Sequence, residues 1–288
     1  MDKLHWELKQ IGLRNRDGSF ATQTARERIL SQAATQLKEL GFRNMEAKSL
    51  KERHVAALLE RWQSEGLAAG TIKNRMAHLR WWAEKIGKPS VIPNGNDRLG
   101  IPDRSFVSDE GKQLALDLDK LVAIGDERVR LSLLLQDQFG LRREESMKFQ
   151  PNYAIRGDTL HLKPSWTKGG RAREIPIRTA DQRWVLEQVR KMAAGGSLIP
   201  PERSYAEHLG VYERELRKAG ISGAHGLRHQ YAQRRYEELA GWKPPHAGGP
   251  KRKELTPEQL AIDREARLTV SAELGHAREE ITAVYLGR

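Results

Sequence analysis

Apolar residues at three- and four-residue intervals, broken repeatedly by glycine, restrict the first third of this 288-residue chain to short amphipathic helices. Leu4, Leu8 and Ile11 share one helical face, with Gly12 as the expected stop. Thr24 and Glu27 have capping-box spacing ahead of a second stripe, Ile29, Ala33, Leu37 and Leu40, which ends at Gly41. Ser49 and Glu52 repeat the device before Val55, Leu58, Leu59 and Trp62. A fourth stripe, Ile72, Met76, Leu79, Ala83 and Ile86, closes at Gly87 and Pro89. Four such helices with short connections predict a bundle over residues 1–88.

Pro89, Pro93, Asn94, Gly95, Asn96, Gly100 and Pro102 then crowd residues 89–107, which read as a linker to a second domain over 108–288. Helices are expected near 109–124 and 126–139, the latter capped by Asp126. The strand signal is confined to Tyr153–Ile155, a Gly157-Asp158 turn, Thr159–Leu162 and Glu174–Ile177, with Pro176 arguing for an edge strand. Helices return at about 181–193, 205–219 and 226–240. The Pro- and Gly-rich stretch 241–256 reads as an exposed basic loop, after which Thr256-Pro257-Glu258-Gln259 restarts a helix. The expected fold class is mainly α with a small antiparallel β-sheet: a helical bundle followed by an α+β domain.

Composition narrows the chemistry. The absence of cysteine excludes disulfides, thiol nucleophiles, thiolate zinc sites and iron–sulfur clusters. No apolar run is long enough to span a bilayer and the N-terminus has no signal-peptide core, so a cytoplasmic protein without a membrane partner is expected. Lys and Arg total 50 against 38 Asp and Glu, and the resulting net charge of +12 points to a polyanion such as DNA. Lys73, Arg75, Arg80 and Lys85 lie largely off the fourth stripe and fit either a solvated face or a helix laid against phosphates. Asp117 and Asp119 fall on a predicted helix and make no convincing metal set, and no Walker-type loop appears, so no metal or cofactor is expected.

Taken singly, the reactive residues are unremarkable. Arg142 and Arg143 before Glu144 and Glu145 look like helix-surface pairs, Lys168 like a turn lysine, and Tyr153, Tyr231 and Tyr236 like strand or core residues. Their order changes the reading. FGLRREE (139–145), TKGGRAREIPI (167–177), HGLRH (225–229) and ELGHAREEITAVYLG (273–287) resemble, in sequence and in order, the catalytic boxes of tyrosine recombinases of the phage-integrase family. The resemblance covers roughly 108–288 and is most specific where Leu274-Gly275-His276 precedes Tyr285 by nine residues. The first part is similar in length and pattern to that family's core-binding domain.

The resemblance implies that Arg142 and Arg228 clamp phosphate, that Lys168 lies in the turn between the second and third strands, and that Tyr285 is the nucleophile. It makes His225 and His276 the active-site histidines, with Glu145 orienting its neighbours. His229 is better read as a packed helix residue. Arg171, Arg173, Lys251, Arg252 and Lys253 join Lys73, Arg75, Arg80 and Lys85 as expected DNA contacts. The chemistry is consistent with this set. Extra charge develops on the nonbridging phosphate oxygens during attack, and planar, always-charged guanidinium groups match that array. A phenol with pKa near 10 is about 0.1% ionised at neutral pH, a penalty of roughly 4 kcal/mol that nearby cations and a basic histidine lower. His225 is the better candidate base, His276 the phosphate partner, and Lys168 the acid that protonates the leaving oxygen.

The expected function is site-specific DNA recombination through a 3′-phosphotyrosine, integrating or excising a mobile element by way of a Holliday junction. The implied partners are double-stranded att-type recombination sites and a homotetramer on DNA, compatible with a monomer in solution. A directionality factor or host DNA-bending protein is a further partner that the residues do not identify. Two alternatives stay open: a type IB topoisomerase-like nicking-closing enzyme and an inactive DNA-binding accessory protein. Against the family pattern, the 241–256 stretch is surplus, with no role assigned by the sequence. Only Leu286, Gly287 and Arg288 follow the nucleophile, so subunit coupling is expected through the helix bearing Tyr285, that loop or the bundle.

Overall fold

The computed structural model describes residues 2–103, 107, 110–167, 170–276 and 281–288. The chain divides into two units, Met1–Ser105 and Phe106–Arg288. Both are largely helical, and the sheet is small and antiparallel, as the periodicity predicts.

The first unit holds α1 (Lys3–Arg14), α2 (Phe20–Glu39), α3 (Glu52–Ser64) and α4 (Ala69–Lys85). Three helix boundaries differ from expectation, each for a local reason. α1 runs through Gly12 to Arg14, because one glycine inside a helix costs only about 1 kcal/mol and Leu4 and Leu8 are anchored by burial. α2 starts at Phe20, since the Ser19 hydroxyl accepts from Thr22 N at 3.3 Å and leaves Thr24 and Glu27 inside the helix. Ser49 closes a single 3₁₀ turn, and the N-cap of α3 is Lys51, whose amide donates to His54 Nδ1 at 3.1 Å.

Leu37, Leu58, Trp62, Met76, Leu79 and Trp82 form the fully buried centre of this unit. Both indole N–H groups are satisfied, Trp62 by Gln36 Oε1 at 2.9 Å and Trp82 by the Ala47 carbonyl at 3.1 Å. The proline- and glycine-rich stretch contributes Ile92 and Ile101 to the same core. Arg80 ties that stretch to α4 by donating to the Pro93 carbonyl and to Asn96 Oδ1, each at 2.9 Å.

The second unit begins with α5 (Leu118–Val122) and α6 (Glu127–Phe139), followed by α7 (Arg143–Met147) and α8 (Pro151–Ala154). Residues 110–117 are not helical, and Asp117 is the N-cap of α5 rather than part of a helix reaching back to 109. The strands are β1 (Ile155–Arg156), β2 (Thr159–Leu162) and β3 (Arg173–Pro176), paired in that order with Leu160 opposite Ile175 and Leu162 opposite Arg173. Tyr153 and Ala154 belong to a helical turn, not to a strand, because Pro151 occupies its first position. Pro176 lies on an edge strand, where its missing donor is harmless.

Helices α9 (Ala180–Ala193), α10 (Tyr205–Lys218), α11 (Gly226–Ala240), α12 (Pro257–Glu273) and the one-turn α13 (Ala283–Leu286) complete the unit. α12 begins as predicted: the Thr256 hydroxyl accepts from Gln259 N at 3.3 Å and Gln259 Oε1 accepts from Thr256 N at 2.9 Å. The largest core gathers Phe139, Phe149, Leu160, Ile175, Tyr231, Tyr236, Val270 and Leu286, so that α11 is packed by α6, α12 and α13. No helix among the described residues is long and apolar enough to cross a membrane.

Replacing Trp82 with alanine removes a fully buried indole and its hydrogen bond to Ala47. The expected loss is about 3–5 kcal/mol, read from the urea midpoint of the first unit's transition. A shift below about 1 kcal/mol would contradict the core described here.

Candidate active site

The site grows from the end of α6. Gly140 terminates that helix at φ 60, and a Cβ there would lie 2.5 Å from the Tyr231 ring, so both conformation and space demand glycine. The chain turns at once into α7 with Arg142 as N-cap and Glu145 at the third position. Glu145 Oε2 accepts from the Arg142 amide at 2.7 Å, while Oε1 accepts from Arg142 Nη1 at 2.7 Å. From β3, Arg173 adds a bidentate pair to the same carboxylate at 2.8 and 2.6 Å. Burial alone would raise the Glu145 carboxyl; the hydrogen bonds and charge of Arg173, with Arg228 and Arg142, outweigh it and hold the group at about 2.

Arg173 is therefore not the surface DNA contact that its basic turn suggested. It is buried, with its fork spent on Glu145. A sequence signal for this exists: Arg173 shares the period-two face of Ile175 and Ile177, and all three are buried.

At the start of α11, the Gly226 carbonyl accepts from Leu114 N at 3.0 Å, and a Cβ on Gly226 would meet the Lys112 carbonyl oxygen at 2.6 Å. This close approach sets His225 as N-cap and puts Arg228 and His229 in the first turn. Arg228 is 1% exposed. Its Nη1 donates to the Gly140 carbonyl, its Nη2 to the Leu274 carbonyl, and its Nε to the Tyr285 hydroxyl at 3.3 Å. Complete burial pulls its guanidinium down to about 10, which still leaves a cation at neutral pH.

His276 follows α12 through a Schellman motif. Gly275 at φ 67 donates to the Ala272 carbonyl at 2.9 Å and the His276 amide to the Ser271 carbonyl at 2.9 Å. A Cβ on Gly275 would also press on Arg173 Cδ at 2.9 Å. His276 Nε2 is 3.4 Å from Arg228 Nη2; a guanidinium only donates, so the imidazole proton resides on Nδ1.

Tyr285 lies on α13, buried, with its ring centroid 4.5 Å from that of His229, 5.5 Å from His276 and 6.2 Å from His225. Burial, followed by the charges of nearby arginines, lowers His276 to about 3 and lowers His225 as well. Burial and the neighbouring His225 lower His229 to about 4. All three are neutral at physiological pH, so each offers one lone pair and one N–H. The other buried tyrosines of α11 face carboxylates: Tyr231 donates to Glu273 at 2.6 Å and Tyr236 to Asp263 at 2.6 Å. Burial and those carboxylates raise both phenols and make phenolate formation harder. The Tyr285 oxygen accepts from Arg228 Nε, whereas the Tyr231 and Tyr236 hydroxyls donate to carboxylates.

Arg142, Glu145, Arg173, His225, Arg228, His229, His276 and Tyr285 are thus brought together from four separated stretches of chain. Lys168 lies outside the described residues. Arg171, Lys251, Arg252 and Lys253 are exposed. The α4 cations, expected to face phosphate, are instead engaged within the protein: Lys73 with Asp103 at 2.9 Å, Lys85 with Asp17 at 3.0 Å, Arg80 with Pro93 and Asn96, and Arg75 over the Trp62 ring at 5.1 Å. Acidic side chains and an aromatic face satisfy a basic helix here as a phosphate would.

Replacing Arg173 with glutamine leaves the buried Glu145 short of its main counter-charge and is expected to destabilise the second unit by about 3–5 kcal/mol in chemical denaturation. A change under about 1 kcal/mol would mean the pair is dispensable. The lowered histidines predict acid sensitivity. Below pH 6.5 the unfolded chain takes up protons that the folded chain refuses until about pH 3 at His276, so stability falls across that window. Glu145 acts in the same direction, its contribution lost as pH drops from 4.5 through about 2. His276→Asn should flatten the melting-temperature slope between pH 6.5 and 4; an unchanged slope would contradict the buried neutral imidazole.

Residues 1–92 match the family described as "Phage integrase, N-terminal", and residues 105–234 match the family described as "Integrase". A search of curated proteins returned no match. Among solved structures, the chain is similar to the Tn1549 transposon integrase in complex with circular intermediate DNA, at 16% identity and TM-score 0.57 over 100% of this chain and 96% of that one. It is similar to a lambda integrase tetramer bound to a Holliday junction, at 15% identity and TM-score 0.62 over 98% and 76% of the two chains. XerH site-specific recombinase bound to difH, in a pre-cleavage complex, gives 16% identity and TM-score 0.55 over 98% and 80%. Two adjoining integrase matches on a chain with this fold and this pocket lead to one assignment: the chain belongs to the phage-integrase family of tyrosine recombinases, enzymes that cut and rejoin DNA.

Proposed function

We infer that Tyr285 is the nucleophile of a site-specific recombinase acting on double-stranded DNA, with Arg142 and Arg228 stabilising the scissile phosphate. The observation that carries this reading is the Tyr285 hydroxyl 3.3 Å from Arg228 Nε in the same chain. That oxygen accepts from the guanidinium that would also serve the phosphate, whereas the Tyr231 and Tyr236 hydroxyls donate to carboxylates.

In the forward step the Tyr285 oxygen bonds to phosphorus and the bond from phosphorus to the 5′-oxygen breaks. The phenolic proton passes to a neutral histidine, for which His225 is the candidate, and the leaving oxygen takes a proton to become a 5′-hydroxyl. Lys168 is assigned as that acid on the sequence resemblance. His276, with Nε2 unprotonated beside Arg228 and its proton on Nδ1, is suited to a phosphate oxygen through that N–H. Glu145 holds Arg142 in place and takes no proton. The 3′-phosphotyrosine keeps the energy of the broken linkage, so attack by a 5′-hydroxyl from a partner duplex rejoins the strands without ATP.

On this reading the unit Phe106–Arg288 is catalytic and Met1–Ser105 helps to grip DNA. The exposed Arg171, Lys251, Arg252 and Lys253 are the better candidates for phosphate contact, and the internally paired cations of α4 are weaker ones. Strand exchange between two sites calls for a homotetramer, as in the lambda integrase tetramer bound to a Holliday junction. Acting where bacterial or phage DNA lies, the protein would work in the cytoplasm with DNA-bending or directionality partners.

The test begins with a nicked duplex selected from a random-sequence library by covalent capture on the wild-type protein. Wild type should form a denaturant-resistant adduct and Tyr285→Phe none; an adduct that persists in the variant overturns the assignment. Arg142→Lys keeps the charge but loses the fork, and its cleavage rate should fall by about 10²–10³. A lysine variant as fast as wild type would show that charge alone suffices at this position.

A further inference from the structure

The surplus stretch 241–256 does not stand away from the site. The amides of Ala247, Gly248 and Gly249 donate back to the carbonyls of Pro244, Pro245 and Pro244 at 2.8, 3.1 and 3.0 Å, winding the segment into a closed turn. A Cβ on Gly249 would overlap the Lys243 carbonyl oxygen, so the closure requires glycine there.

That turn holds His246 against the chain carrying Tyr285. His246 Nδ1 is 3.3 Å from the Tyr285 carbonyl oxygen, and Gln233 Nε2 on α11 donates to the same oxygen at 3.1 Å. A carbonyl only accepts, so His246 carries its proton on Nδ1. Two residues on, Gly287 adopts φ 82 and ψ 178, a region open essentially to glycine alone. A Cβ at Gly287 would meet His246 Cδ2 at 2.7 Å and Pro245 Cβ at 3.0 Å. Arg267 Nη1 then donates to the Gly287 carbonyl at 3.0 Å, while its Nε is fixed on Asp263 at 2.8 and 2.9 Å.

α13 is a single turn, and a helix of that length has no stability of its own in water. The aim of the Tyr285 phenol must therefore come from contacts outside the helix, and the backbone on its C-terminal side is held by Gln233, His246 and Arg267. We propose that residues 243–249 form a cradle for the nucleophile-bearing segment, with His246 a positioning residue that fixes the Tyr285 backbone so that the phenol meets Arg228 of its own chain. The proposal rests on Tyr285 being the nucleophile. His246 touches the peptide of that residue and not its reacting oxygen, so its effect falls on the rate of attack rather than on DNA affinity.

The experiment uses the full chain and the captured nicked duplex, with single-turnover adduct formation measured at saturating protein. His246→Ala should slow the step by about tenfold, the worth of one lost positioning hydrogen bond, with half-saturating protein unchanged. His246→Asn puts an amide N–H in the place of Nδ1 and should recover most of the rate, whereas His246→Gln offers its N–H one atom further out and should not. The Asn and Gln variants both keep a polar side chain in the turn, so their difference decides the matter even if the alanine variant melts early. An alanine variant as fast as wild type, or Asn and Gln variants of equal rate, overturns the cradle. Failure of the wild-type protein to couple DNA through Tyr285 would instead overturn the nucleophile assignment.

Discussion

Gathering three guanidinium groups into one largely buried pocket costs free energy that a buried counter-charge offsets, and Glu145 supplies it. Its carboxylate takes two donors from Arg173 and two from Arg142, and its charge also stabilises Arg228. Removing either side of such a pair strands a charge in low dielectric, which is why these residues stand or fall together. The field they leave behind is positive, and it is felt by the neighbouring histidines. His225 and His276 are kept neutral by burial and by that field. A pocket so arranged is ready for an anion and hostile to a further cation, a suitable state in which to meet a phosphodiester.

Hydrogen-bond partners separate one tyrosine from two others. Tyr231, Tyr236 and Tyr285 are all buried, so burial alone cannot select a nucleophile. The partner does. A carboxylate that accepts a phenol's proton in a hydrogen bond fixes it as structural, as Glu273 does for Tyr231 and Asp263 for Tyr236. The Tyr285 oxygen instead accepts from Arg228 Nε, within the group of residues that would hold a phosphate. Asp263 serves twice, since it also fixes the arginine that holds the Gly287 carbonyl.

Helical periodicity made the fold class legible, and four short boxes in order made the catalytic constellation legible. Boundaries depart from the periodicity where a nearer signal outweighs it: Ser19 over Thr24 at the start of α2, and Pro151 over the apolar run Tyr153–Ile155. The basic turn around Arg173 reads as a DNA contact, although the alternation of Arg173 with Ile175 and Ile177 marks a buried face. The α4 cations illustrate the reverse limit. Nothing local in the sequence says that Asp17, Asp103, Asn96 and Trp62 would fold back to meet them. His246 was invisible for the same reason, because its partner lies 39 residues away on another element.

The central claim is that folding delivers one particular phenol to a guanidinium pocket built for phosphate. Peptide mapping of the trapped protein–DNA adduct by mass spectrometry tests it most directly. The account predicts a 3′-linked nucleotide phosphate on the Tyr285 side chain and a free 5′-hydroxyl on the released strand. A phosphate found on Tyr231, Tyr236 or any serine, or a 5′-linked adduct, would contradict it.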